Sequence, residues 1–172
     1  MIIITFAFMF AAFCMKGQTA ERFSYAAVIG TGIAMNEPAH TPFTVHVLGY
    51  YNISERFSAG VGTGLSFYEI MLIPLFADAK FALTQPGKFT PFVECGGGYA
   101  FATGANAHGG LFFNPSAGIQ YALTNKMKLQ FSAGYELQKL GRLKEYANEY
   151  ITVGFMEKLN HNSISIKVGV VF

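Results

Sequence analysis

The sequence has no tryptophan, two cysteines and few charged residues. Charged residues make up 13% of its 172 residues, well below the roughly 25% of ordinary soluble domains. The net charge of +2 is too small to indicate a nucleic-acid-binding surface. Long apolar runs are also missing, because the longest, from Ile2 to Met15, is shorter than the roughly 20 residues of a membrane-spanning helix. Hydrophobic residues nevertheless reach 52%, which excludes a disordered chain.

The longest apolar run lies at the start of the chain. Residues 2–14 are apolar and the polar stretch 16–20 follows them, an order typical of a secretory signal peptide. We therefore predict a signal peptide over residues 1–20, cleaved between positions 17 and 20, and a mature domain over residues 21–172. A buried or interfacial helix is the alternative interpretation of the apolar run.

From Phe23 onward, apolar residues alternate with small or polar residues at the period of two that is typical of β-strands. In residues 57–67, for example, every even position is Gly or Ser. Eight such segments follow one another, and no charged residue lies on the apolar face of any of them. They cover approximately residues 23–34, 43–51, 57–67, 75–83, 90–101, 113–123, 128–138 and 163–172.

The connectors between these segments alternate in length. Those after the second, fourth and sixth segments are tight polar turns, and the others are mostly longer, above all residues 139–161. Short turns on one side and longer loops on the other are typical of membrane β-barrels, and an even strand number places both chain ends on the short-turn side. Pro74, Pro91 and Pro115 are predicted near the starts of their strands, where a missing backbone N–H is tolerated.

The polar face distinguishes a membrane barrel from a soluble one. It consists mainly of Gly, Ser and Ala, whereas a solvent-exposed face would carry far more Lys, Glu and Asp. Small residues suit the crowded lumen of a narrow barrel. Because an unpaired buried ion costs several kcal/mol, we predict that the charges on this face form an internal ion-pair ladder. The candidates are Asp78, Glu94 and Glu136 with Lys80, Lys128 and Lys167.

Aromatic residues on the apolar face collect near both predicted rims, as in the interfacial girdles of membrane barrels. Together with the leader, the eight segments and the terminal stretch 163–172, they resemble the small outer-membrane β-barrel family of the OmpA-barrel and OmpX type. The expected girdles are Phe23, Tyr25, Tyr51, Phe57, Phe81, Tyr121 and Phe172 on the turn side, and Phe43, Phe67, Tyr99, Phe101, Phe113 and Tyr135 on the loop side.

This resemblance implies an all-β fold: a single eight-stranded antiparallel up-and-down transmembrane barrel with short periplasmic turns and longer extracellular loops. It implies a location in the outer membrane of a Gram-negative bacterium. It also implies that the barrel-assembly machinery recognises the last strand through the terminal Phe172. No catalytic residue follows from it.

Motifs for other chemistry are weak. Gly60, Gly62 and Gly64 lack the following helix and the spacing of a nucleotide-binding loop. The four histidines have no metal-ligand spacing, so neither a metal nor another cofactor is expected. Cys95, the one cysteine left after removal of the leader, falls on the apolar face of a strand and excludes an intrachain disulfide.

Three function classes remain open. We favour a non-enzymatic barrel with a side-chain-filled lumen that contacts outer-membrane lipid and acts structurally or through its loops. Its expected partner site is the loop 139–161, whose strand-like stretch 150–155 we interpret as a hairpin extension that offers an edge for strand addition. A merely solvated protrusion is the alternative. The second class is a lipid-modifying enzyme, for which His161 and Ser163 are the nearest candidate pair. The third is a soluble or carrier barrel that binds a small apolar ligand.

Overall fold

The chain folds into β-strands in the part that the structure describes. This computed structural model describes residues 22–35, 41–68, 70–104, 107–124, 126–148 and 151–172, so the predicted signal peptide lies outside the described residues. Among the described residues, no helix is long and apolar enough to cross a membrane. The strands are β1 (Phe23–Ala34), β2 (Phe43–Asn52), β3 (Phe57–Phe67), β4 (Met71–Ala82), β5 (Phe89–Ala102), β6 (Ala107–His108), β7 (Gly110–Ala122), β8 (Lys128–Asn148) and β9 (Ile151–Val171).

Eight of these strands close into an antiparallel barrel. Each pairs with its neighbour along the chain, and β1 also pairs with β9 from Ala26↔Val171 to Ala34↔Ser163. The two-residue strand β6 stands outside this ring and pairs with β8. Backbone bonds between Tyr25 and Phe172, at 2.8 and 3.0 Å, place the two ends of the barrel sequence together on the short-turn side. The predicted eight-stranded up-and-down barrel is confirmed.

The strands are staggered around the barrel. Most residues of a barrel strand have a register partner on the next strand. If these partners are followed from Tyr25, the circuit passes through one residue of each of the eight barrel strands. It returns to the β1 side at Met35, whose N–H donates to Asn162 O at 2.8 Å. The circuit therefore advances ten residues, from position 25 to 35, which requires the strands to tilt against the barrel axis. The intermediate residues are Gly49, Val61, Ala77, Gly97, Phe113, Leu137 and Asn162.

Burial alternates along the strands with the predicted period of two. In β4, for example, the even positions from Leu72 to Lys80 are buried and the odd positions from Met71 to Phe81 are exposed. Exposed positions around the barrel carry large apolar side chains, and many buried positions carry Ser, Thr, Asn, Gln or charged groups. The apolar face therefore points outward and the polar face lines the lumen.

Two prolines lie deeper in their strands than predicted. Pro74 is the fourth residue of β4 and Pro115 is the sixth of β7. Each interrupts pairing on one side only: the β3–β4 ladder has no pair between Thr63↔Leu75 and Ser66↔Leu72, and the β7–β8 ladder has none between Phe113↔Leu137 and Ser116↔Gly134. Beside Pro115, the Asn114 side chain replaces the missing donor, because Nδ2 donates to Tyr135 O at 3.0 Å.

The last hairpin is longer than predicted. Strands β8 and β9 stay paired in one register from Lys128↔Val171 to Asn148↔Ile151, so the segment expected as a loop with a short strand-like stretch is almost wholly paired backbone. Pairing of β8 with β7 ends at Gln138. Ten residues separate Gln138 from Asn148, so the hairpin continues about 30 Å beyond that point at the usual rise per residue.

Candidate functional site in the lumen

A first ion pair lies in the turn-side half of the lumen. Strands β4 and β5 place Lys80 opposite Glu94, and Lys80 Nζ lies 3.2 Å from Glu94 Oε2. The same ammonium donates to Gln130 Oε1 at 2.8 Å and lies 4.5 Å and 4.9 Å from the ring centroids of Tyr50 and Phe92. Glu94 also accepts from Gln130 Nε2. These contacts compensate for the removal of both charges from water.

A second ion pair lies closer to the loop side. Lys167 Nζ of β9 lies 3.0 Å from Glu136 Oε2 of β8 and donates to Asn114 Oδ1 at 2.8 Å. Glu136 is 1% exposed, and its other oxygen accepts a hydrogen bond of 2.7 Å from Tyr68 Oη. Tyr68 follows β3, so this bond crosses the barrel mouth. Burial raises the pKa of Tyr68 well above its ordinary value, as does the adjacent Glu136 carboxylate, so the phenol remains a donor.

The six predicted ion-pair residues thus divide into two groups. Four form the two pairs above. The carboxylate of Asp78 instead accepts a hydrogen bond of 2.8 Å from Tyr50 Oη. Lys128 is half-buried at the turn-side start of β8, and neither it nor Asp78 belongs to an ion pair among the described residues. Instead of one ladder of three pairs, the described lumen contains two separate ion-pair clusters, each hydrogen-bonded to neutral polar groups.

An apolar layer closes the lumen near its loop-side end. The rings of Phe76 and Phe112 lie 5.0 Å apart, and His46 packs edge-on against both at 5.4 and 5.9 Å. His46 Nε2 also lies 3.3 Å from Ser66 Oγ. A cavity of about 20 Å³ adjoins this layer, which is room for about one water molecule. The layer consists of Leu72, Phe76, Ala100, Phe112 and Leu140.

The side chains of His161 and Ser163 point into the lumen. They are 4% and 2% exposed, and the His161 ring stacks against Tyr68 with 5.1 Å between ring centroids. Sequence alternation places both residues on one face of β9, but it does not show whether lipid reaches them. In the structure they face away from the apolar outer surface.

Several residues of the hydrogen-bond network in the lumen were not predicted from the sequence. Alternation places Tyr50, Asn114 and Gln130 on the correct face, but nothing in the sequence shows that they bridge charges on other strands. Phe112 lies just outside its predicted strand, and Tyr68 lies in a predicted loop. A search for polar or aromatic residues on the lumen face would have found Tyr50, Asn114 and Gln130.

The outer surface carries the two expected aromatic girdles. On the turn side, Phe23 packs on Tyr51 at 5.2 Å between ring centroids and Phe89 packs on Tyr121 at 4.9 Å. On the loop side, Tyr99 Oη donates to Gly109 O and Tyr135 Oη to Asn162 Oδ1, each at 2.8 Å. An apolar ring with a polar tip suits the boundary between hydrocarbon and water.

Comparison with known proteins supports this architecture. No protein-family model matches the sequence, and no curated protein matches it. Among solved structures, Neisserial surface protein A is similar, with a TM-score of 0.56 and 15% identity over 87% of this chain and 97% of that one. The outer membrane enzyme PagL has a TM-score of 0.56 and 12% identity over 84% and 97%. Outer membrane protein AlkL has a TM-score of 0.51 and 13% identity over 91% and 94%. At these identities the likeness shows the fold, which is that of small outer-membrane β-barrels.

Proposed function

We propose that this chain is an integral barrel of the outer membrane of a Gram-negative bacterium, with its apolar outer face in contact with lipid. The observation that carries the proposal is the direction of the two faces. Phe23, Ile33 and Val61 are each more than 60% exposed on the outside, while Lys80, Glu136 and Lys167 are buried inside. A soluble barrel needs the opposite arrangement, because exposed contiguous apolar surface promotes association.

The lumen supports a role other than transport or catalysis. Side chains fill it, as expected for a barrel of eight strands, and the apolar layer of Leu72, Phe76, Ala100, Phe112 and Leu140 occupies it near its loop-side end. A cavity of about 20 Å³ is far too small for an apolar ligand. His161 and Ser163 lie on the lumen side of the wall, where a membrane lipid has no access to them. A non-enzymatic barrel is therefore the function class that this geometry favours.

The hairpin formed by β8 and β9 is the part of the surface that we propose for a partner. Among the described residues, the two strands beyond the end of the β7–β8 pairing pair mainly with each other, and the short β6 covers only Gly141 and Arg142 of β8. Backbone N–H and C=O groups on an uncovered strand edge can accept a further strand from another protein. The proposed role is thus adhesion or assembly at the cell surface, through strand addition.

Cell fractionation tests the proposed location. We expect the full chain to sediment with outer membranes, to resist extraction by high salt or carbonate, and to dissolve in detergent. Unboiled protein should migrate differently from boiled protein in gel electrophoresis, because a closed barrel resists unfolding by dodecyl sulfate until it is heated. Recovery of the folded chain in the soluble periplasmic fraction would contradict the proposal and favour the carrier class.

A further inference from the structure

Three of the strands that run from the short-turn side to the loop side begin in the same way. Each has a Lys or Arg immediately before its first residue, and that first residue is a phenylalanine on the outer face. The three pairs are Arg22 with Phe23 in β1, Arg56 with Phe57 in β3, and Lys88 with Phe89 in β5.

These cations occupy equivalent positions at the short-turn end of the barrel. The backbone carbonyls of Arg22, Arg56 and Lys88 accept hydrogen bonds of 2.7, 2.7 and 2.9 Å from the N–H groups at the ends of the neighbouring strands. Each carbonyl thus forms the last rung between two strands. The side chains of all three are exposed, and so is that of Lys126 in the turn between β7 and β8.

An aromatic pair lies next to each of the three cations that precede a strand. Phe23 packs on Tyr51, Phe57 is the register partner of Phe81, and Phe89 packs on Tyr121. Lys88 Nζ lies 5.9 Å from the centre of the Tyr121 ring. Aromatic girdles are typical of the membrane interface, so in the proposed membrane the cations, one residue closer to the turns, would lie near the lipid phosphates.

The two ends of the barrel differ in charge. The turn end carries five cationic side chains, Arg22, Arg56, Lys88, Lys126 and Lys128, against one described carboxylate side chain, Glu55. Glu21 precedes Arg22 in the sequence, outside the described residues. The sequence of segment 139–158 instead mixes both signs, with Lys139, Arg142, Lys144 and Lys158 against Glu145, Glu149 and Glu157. None of the turn-end cations forms an ion pair with a described residue.

We propose that the short-turn end binds the headgroups of anionic phospholipids through Arg22, Arg56, Lys88 and Lys126. This inference rests on the proposed membrane location. Exposed cations beside an aromatic girdle match a phosphate layer in both charge and expected depth, and a guanidinium can bind phosphate oxygens with two hydrogen bonds. An acidic protein would explain the charge but not the repeated position of each cation beside an outward-facing aromatic pair.

Lipid selectivity in reconstituted vesicles tests this proposal. The folded full chain is inserted into phosphatidylcholine bilayers that contain a trace of spin-labelled phosphatidylglycerol or spin-labelled phosphatidylcholine, and the motionally restricted fraction of each label is measured. We expect the anionic label to be enriched around the wild type by roughly twofold or more, and less so at high salt. The variant with Arg22→Gln, Arg56→Gln, Lys88→Gln and Lys126→Gln should lose this preference.

The matched control removes four cations from the other end: Lys139→Gln, Arg142→Gln, Lys144→Gln and Lys158→Gln. It should retain the preference. Loss of the preference in this variant alone, or equal restriction of both labels around inserted wild type, overturns the proposal and leaves the membrane location intact. A wild type that does not insert at all, as judged by its migration before and after heating, overturns both.

Discussion

At the residue scale, the two lumen ion pairs are built differently. Lys80 and Glu94 are direct register partners on β4 and β5. Glu136 and Lys167 are not partners, because Glu136 lies opposite Ser163 and Lys167 opposite Ser132. The second pair therefore spans two steps of the same face, and Glu136 depends on Tyr68 and Lys167 together for compensation of its buried charge.

We expect Lys167→Met to destabilise the barrel by about 3–5 kcal/mol, because it leaves Glu136 buried without its cation. Adding Glu136→Gln to Lys167→Met should recover much of this loss, since the remaining groups are neutral. Urea unfolding of the barrel in lipid vesicles measures both free energies. Equal losses in the single and double variants would show that the pair is not coupled.

Close backbone approach makes one lumen glycine costly to replace, whereas one outward-facing glycine has room for a side chain. A Cβ on Gly134 would overlap Pro115 O and Ser116 Cβ, whereas a Cβ on Gly97 would meet only Phe113, at 3.8 Å. Gly134→Ala should therefore cost about 1–3 kcal/mol, which is typical of overpacking, and Gly97→Ala should be close to neutral. Urea unfolding in vesicles compares the two, and equal costs would contradict this account.

The sequence predicts which residues enter the lumen and not which of them meet. Alternation is a local property, so it assigns Asp78, Lys80 and Glu136 to one face correctly. The contacts depend on the ten-residue stagger, which arises only when β1 pairs with β9. That is why a three-pair ladder was expected and Tyr50 was not foreseen as the partner of Asp78.

At the element scale, two prolines and the last hairpin also differ from what the local sequence pattern predicts. Pro74 was expected at a strand start because a proline inside a strand lacks a donor. Its strand nevertheless extends to Met71, because β5 pairs with Pro74 on the uninterrupted side through Ala100. The hairpin beyond Gln138 was predicted only in part, because its charged residues are typical of a loop.

Hydrogen exchange tests whether the hairpin binds a partner. Strand addition occupies free backbone groups, so the amides of residues 151–159 should exchange more slowly in native outer membranes than in purified protein. The amides of residues 163–170, which already pair on both sides, serve as the internal control and should not change. Identical exchange of the hairpin in both samples would identify it as a solvated protrusion.

Deleting residues 143–156 should leave the barrel folded and heat-modifiable. The deleted backbone pairs only within the hairpin, and the deletion spares Leu140, which is 4% exposed in the lumen core. The same variant should lose any partner detected by hydrogen exchange. Failure of this variant to insert would show that the hairpin contributes to the barrel wall.

At the scale of the whole molecule, the packed lumen predicts a protein that does not conduct ions. In planar bilayers the wild type should show no steady conductance, because Leu72, Phe76 and Phe112 close the loop-side end. Replacing both rings, Phe76→Ala with Phe112→Ala, should produce conducting events by opening a path between polar groups. Steady current through the wild type would contradict the filled-lumen interpretation.

Fold class was the most predictable property, because one rule repeated in eight segments fixes it. Strand number and the position of the girdles follow from alternation and connector length, and the direction of the faces follows from the Gly, Ser and Ala content of the polar face. The hydrogen bonds across the lumen could not be predicted, since they join residues as distant in sequence as Tyr68 and Glu136.

The two proline positions divide the wall into an arc of three strands, β4, β5 and β7, and an arc of five. Hydrogen bonds inside the lumen join one arc to the other: Tyr50 to Asp78, Lys80 to Gln130 and Lys167 to Asn114. The lumen hydrogen bonds thus join the two arcs where the barrel has fewer backbone hydrogen bonds between strands. Without these hydrogen bonds the two arcs would be joined less firmly beside Pro74 and Pro115, so the polar lumen contributes to closure of the barrel.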